Sequence, residues 1–232
     1  MENSYSESSD VVRLKIQIPF FLLGLILFSY GIAVAIKVQY LGVHPWDVLN
    51  LALHERWGLT IGTWSVLVGI VLVLVSLVID RSYINVGTFF NAIMVGPMVD
   101  LFLWLDVLPQ PSILPLDILI LFNGIVIMGI GGGMYNASRI GAGPRDGFML
   151  SISDKLGYSI SKVRIIVESA ALLIALLLGG PVFIFTFIFT FIQSPIFQIS
   201  YKICTRWIEA LSRITKKYES SYSEEKRQRR LP

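Results

Sequence analysis

The chain has 232 residues, 54% of them hydrophobic and 15% charged, with a mean hydropathy of +0.70. That balance excludes an ordinary soluble domain and points to a helical protein built for lipid. The formal charge of +3 sits mostly at the C-terminal end and reads as a membrane-surface signal, not a nucleic-acid footprint, while the single cysteine, Cys204, excludes an internal disulfide or a cysteine-cluster metal site.

Taken in chain order, residues 1–12 are polar and acidic with no basic n-region. They read as a disordered cytoplasmic terminus and not as a cleaved signal peptide. Apolar runs of membrane-crossing length follow at Ile16 to Ile36, Thr60 to Ile79, Val86 to Leu105 and Leu116 to Tyr135. From Ser169 to Tyr201 there is no charge over 33 residues, too long for one crossing. Gly179-Gly180-Pro181 supplies the break a hairpin needs, giving spans at Ile160 to Gly180 and Val182 to Ile203. Six transmembrane helices result. Beyond them, Tyr201 to Tyr218 alternates Ile203, Trp207, Ile208, Leu211 and Ile214 with Lys202, Arg206, Arg213, Lys216 and Lys217. This pattern predicts a basic amphipathic helix on anionic lipids at the cytoplasmic face, and 219–232 reads as a disordered tail.

The same unit occurs twice. Gly42-Val43-His44-Pro45-Trp46-Asp47 is answered 99 positions later by Gly141-Ala142-Gly143-Pro144-Arg145-Asp146. Gly58 then meets Gly157 and Val68 meets Val167, while Thr88 and Pro97 meet Thr186 and Pro195 at spacing 98. The chain accordingly divides into the terminus at 1–12, a first membrane repeat at 13–109, a second at 110–203, and the basic helix with its tail at 204–232. Each repeat holds three crossings plus a segment of about 12 residues (Trp46 to Trp57, Arg145 to Gly157), too short and too charged to span and therefore re-entrant or interfacial. An odd number of crossings inverts one copy against the other, an arrangement that recurs in secondary transporters.

Loop charge supports that topology. With both termini cytoplasmic and six crossings, 17 of the 19 Lys and Arg fall inside and only Lys37 and Arg56 outside.

Several residues are candidates for chemistry. Pro45 and Pro144 suit a first helical position, and Asp47 and Asp146 then lie in the first turn against the positive helix end. They are either helix-start residues or, where two half-helix starts meet near the midplane, ligands of a cation or polar solute. Glu168 is an ionisable group within a span, with Arg164 one turn earlier as its partner or as the nearer interface charge; Arg145 joins this set. Asn91, with Gly96-Pro97, and Gln193, with Ser194-Pro195, form a matched polar and kinked pair, open to either a packing or a pathway role. Asp100 falls towards the outer interface. Gly129 and Gly133 make a small-residue face for close helix packing and not a nucleotide loop. His44 and His54 have no partner at metal-ligand spacing and read as exterior-loop residues, so no metal site and no cofactor is expected. No Ser-His-Asp or His-Glu-x-x-His arrangement occurs, and an enzyme is not expected.

The motifs Gly42-Val43-His44-Pro45-Trp46-Asp47, Asn85-Val86-Gly87-Thr88 and Gly141-Ala142-Gly143-Pro144-Arg145-Asp146-Gly147, followed by Val163-Arg164 and Gly179-Gly180, carry a family resemblance. From Ile16 to Tyr201 the chain resembles the YczE/YyaS/YitT family of bacterial integral membrane proteins, and most of all its YczE branch. The resemblance implies a multi-pass protein of the bacterial plasma membrane, without an assigned activity. The expectation drawn from all of this is an all-α membrane protein of two inverted repeats that moves a small solute or ion. The alternative is a non-transporting accessory or scaffold protein of a membrane-associated biosynthetic or export system. No nucleic-acid partner is expected, and self-association is compatible with the sequence.

Overall fold

A computed structural model describes residues 2–105 and 107–228, with side chains across 14–105, 107–160, 162–189 and 191–215. Eight α-helices make up these described residues: α1 (Glu2–Lys37), α2 (Pro45–Trp57), α3 (Ile61–Ile79), α4 (Val86–Trp104), α5 (Leu114–Ala137), α6 (Pro144–Leu156), α7 (Ile160–Leu177) and α8 (Ile184–Gln228). Short 3-10 turns at Gln39–Leu41 and Arg81–Tyr83 complete them.

Among the described residues, five stretches are long and apolar enough to cross a membrane: Leu14–Lys37, α3, α4, α5 and Ile184–Thr215. The sixth expected crossing, α7, forms where the sequence places it, but its 18 residues include Lys162, Arg164 and Glu168. Its exposed side is nonetheless apolar, with Ile165, Ile166, Leu173 and Leu177 uncovered. Many large apolar side chains are exposed across the molecule, as at Val78 (84%), Val86 (87%) and Phe191 (81%), which is the surface lipid demands.

Both ends of the helical body run further than the pattern suggests. Helix α1 begins at Glu2, inside the segment read as disordered, and α8 continues unbroken from its apolar part through the basic stretch to Gln228. Neither 2–12 nor 196–228 contains Gly or Pro, so nothing stops a helix already nucleated by its apolar half. Met1 and 229–232, the outermost parts of the two expected tails, lie outside the described residues.

The two half-helices start as their sequences dictate. Pro45 and Pro144 each occupy the first turn of a 13-residue helix. Each turn leading into a half-helix is seated on the opposite half of the chain. An ideal Cβ on Gly42 would fall 2.6 Å from the Thr186 nitrogen, and one on Gly141 would fall 2.4 Å from the Thr88 nitrogen. Gly42 also adopts φ +114°, which side chains disfavour. The two seats are built alike: Thr88 Oγ1 accepts from Asn85 N (3.2 Å), and Thr186 Oγ1 accepts from Phe183 N (3.3 Å). Likewise α2 packs on α7 while α6 packs on α3, so each half-helix rests on the middle helix of the other half.

Helices α1 and α5 cross along a glycine seam. Gly24 faces Gly131 and Tyr135, whereas Gly31 faces Gly124 and Met128, so the two helices run antiparallel. Backbones approach closely enough that a Cβ on Gly131 would sit 2.4 Å from Phe28 N. On the other side of α5, Gly129 meets Ile196 and Gly133 meets Ser200 of α8, which confirms their packing role. Gly96 lies against Gly62, where its Cβ would be 2.2 Å from the Gly62 carbonyl oxygen, beside Pro97 within α4; Pro195 likewise stands within α8. Asp100 is not simply facing water: it accepts from Gly62 N at 2.8 Å and from Thr60 Oγ1 at 2.5 Å, tying α4 to the start of α3. At the hairpin, α7 ends at Leu177, Gly179 takes φ +87°, and Gly180 abuts Ala52 and Val48 of α2.

Candidate functional site

All eight helices contribute to one cavity of about 80 Å³ beside the starts of α2 and α6. That is room for several waters or one small organic solute. Arg145, Asp146, Arg164 and Glu168 line it, together with Asn91 and Gln193. Six of the seven candidate pathway residues therefore converge here from α4, α6, α7 and α8. The seventh does not: Asp47, 2% exposed, is absent from the lining and is held behind it by Arg145, whose Nη2 donates to Asp47 Oδ1 at 3.0 Å.

The ion pairs fall into two sets. Arg145 joins Asp47 and lies 5.6 Å from the centroid of the Trp46 ring. Arg164 reaches Asp146 at 3.5 Å through Nη2 and Glu168 at 3.9 Å through Nε. Asp146 Oδ2 also accepts from the Tyr135 hydroxyl and from Asn136 Nδ2, both at 3.4 Å. The i, i+4 pairing of Arg164 with Glu168 is thus present, but both residues are drawn into a wider network and not closed upon each other.

His44 corrects the sequence reading. It is 6% exposed, not a residue of an exterior loop; His54, by contrast, is exposed. His44 caps α2, its Nδ1 accepting from Trp46 N at 3.4 Å, which leaves Nε2 to face Glu168 Oε1 at 3.8 Å. Phe189 meets the imidazole edge-on at 5.5 Å. In the repeat His44 corresponds to Gly143 and Trp46 to Arg145. The α2 start therefore carries its own cap, while the α6 start has no side-chain cap and lines the cavity. Tyr135 was also missed as a site residue; comparing the two copies for positions where one is polar and the other is not would have flagged His44, but nothing local marks Tyr135.

Beyond the cavity, two tyrosine–aspartate contacts join distant segments. The Tyr40 hydroxyl donates to Asp117 at the start of α5, and the Tyr83 hydroxyl donates to Asp154 near the end of α6. The bond to Asp117 pushes the Tyr40 phenol up from its ordinary value, so it remains a donor throughout the neutral range.

A match to the family of unknown function DUF6198 spans residues 15–202. The chain belongs to that family. It is 33% identical over 163 residues to the "Uncharacterized membrane protein YczE" of Bacillus subtilis, covering 70% of this chain and 75% of the relative. It is 30% identical over 163 residues to "Uncharacterized protein YyaS" of the same organism, covering 69% and 80% respectively. An "Uncharacterized protein" of Haemophilus influenzae is 30% identical over 193 residues, covering 82% of this chain and 85% of its own. No solved structure matches. The resemblance to YczE-like proteins read from the turn motifs holds, and with its apolar exterior the chain is a membrane protein.

Proposed function

We propose that this protein carries a small solute or ion across a bacterial plasma membrane by alternating access. The observation that carries this reading is the ionic cavity at the junction of two sequence-related halves, with four charged side chains lining it. An intramembrane charge is costly and is retained where a polar species must be received. In this reading all six long helices cross, α7 included, and the halves are inverted. Support comes from α1 and α5, equivalent in the repeat yet antiparallel, and from the mutual seating of each half-helix on the other half. Both termini face the cytoplasm, by the distribution of Lys and Arg. The protein is a carrier and not a catalyst.

Ser65, which lines the cavity, provides the test. A Ser65→Cys variant in a Cys204→Ser background should react with an impermeant thiol reagent applied from either side of the membrane. Reaction from one side alone, or from neither, would remove alternating access. A scaffold role has one feature in its favour, the exposed basic residues Lys202, Arg206 and Arg213 on α8, which suit anionic lipid.

A further inference from the structure

We infer that the cavity takes a small carboxylate-bearing solute, received between Arg145 and Asn91 at the uncapped start of α6. This assignment of substrate class rests on the carrier reading above, although binding itself does not depend on passage.

The argument is an inventory of hydrogen-bonding capacity around the cavity. Three of its lining residues hold a buried polar atom with no hydrogen-bond partner: Trp46 Nε1, Asn91 Nδ2 and Arg145 Nη1, whereas Arg164 Nε faces Glu168. All three are donors. Asn91 and Trp46 are each only 4% exposed, so bulk water does not satisfy them. The acceptors, by contrast, are engaged. Asp47 holds Arg145, Asp146 takes Arg164, Tyr135 and Asn136, and Glu168 faces Arg164 and His44. A buried donor without a partner keeps its desolvation penalty uncompensated, so the set as a whole favours an occupant rich in acceptors.

Charge sharpens the class. Arg145 spends only one arm on Asp47, and its other guanidinium nitrogen is a free, charge-assisted donor of the kind that engages carboxylates in pairs. The first turn of α6 adds a positive helix end of roughly half an elementary charge. His44 caps α2 through its side chain, whereas α6 has no side-chain cap among the described residues and carries Asp146 in its first turn beside the cavity.

Calorimetric titration of the purified full-length chain in detergent tests this with acetate, lactate and glycine against methylammonium and glycerol. At least one of the carboxylates should bind saturably, and methylammonium and glycerol should not. Two variants should each weaken that binding at least tenfold. Asn91→Leu removes one donor, and the double variant Asp47→Asn with Arg145→Gln removes the guanidinium without stranding a buried carboxylate. Binding of methylammonium or glycerol as tight as that of the carboxylates, no binding of any carboxylate, or unchanged affinity in both variants would overturn the assignment. Carboxylate binding together with one-sided access at Ser65 would leave the class standing and remove transport. Two-sided access without carboxylate binding would do the reverse.

Discussion

Replacing Arg145 alone tests whether the α2–α6 junction is held by charge. Asp47 is 2% exposed, and the contact from Arg145 Nη2 at 3.0 Å is the ion pair that compensates its carboxylate. Arg145→Gln keeps much of the side-chain volume but leaves that carboxylate buried and uncompensated, a change that costs about 3–5 kcal/mol. For a 232-residue chain each kcal/mol moves the melting temperature by roughly 2–4 °C. A drop of roughly 6–20 °C follows for the single variant, read as loss of the monodisperse peak after heating in detergent. Adding Asp47→Asn removes the stranded charge and should recover most of the loss, since a neutral pair is close to isosteric with the charged one. A stable single variant, or a double variant no more stable than the single, would refute the claim that this pair fastens the two half-helices together.

Further outcomes follow from other contacts. Gly131→Ala should destabilise by about 1–3 kcal/mol, because its Cβ meets the Phe28 backbone nitrogen at 2.4 Å; Gly132→Ala should cost less in the same thermal assay, because it meets the Phe197 ring at 2.9 Å and a side chain can give way. Cysteines at the exposed positions Arg56 and Lys155, in a Cys204→Ser background, should label from opposite compartments; labelling from one compartment would end the inverted reading. Glu168→Gln should leave the protein folded and abolish uptake into proteoliposomes, since it removes the charge linking His44 to Arg164 without changing the cavity's shape. Truncation after Thr215 should leave uptake intact, because the contacts that Cys204 and Ile208 make with Ala137, Ile16 and Phe20 are preserved; loss of uptake would favour a role for the basic extension.

What was legible in the sequence was local or periodic. The Gly-x-x-Pro-x-Asp turns declare themselves because Pro and Asp have fixed places at a helix start, and the hairpin at Gly179-Gly180 because a charge-free run of that length must fold back. The cavity was legible because Arg164, Glu168 and Asn91 are conspicuous among apolar neighbours. His44 was misplaced for the opposite reason. It stands beside a turn and looks solvated, and only the approach of α7, distant in sequence, encloses it against Glu168. The repeat pairs Asp47 with Asp146, but Trp46 stands where the second copy has Arg145, and Arg145 holds Asp47 out of the lining. The length of α8 was missed because amphipathic patterning indicates a surface without saying whether the helix bends to lie on it.

The seating of Gly42 on Thr186 bears on how the protein is made. The ribosome releases the first turn long before it has synthesised the residue that turn must rest against. Until α8 enters the bilayer, the early helices lack a finished partner surface, so maturation cannot proceed half by half. A chain that ends before Thr186 therefore leaves the Gly42 turn without the backbone it rests against.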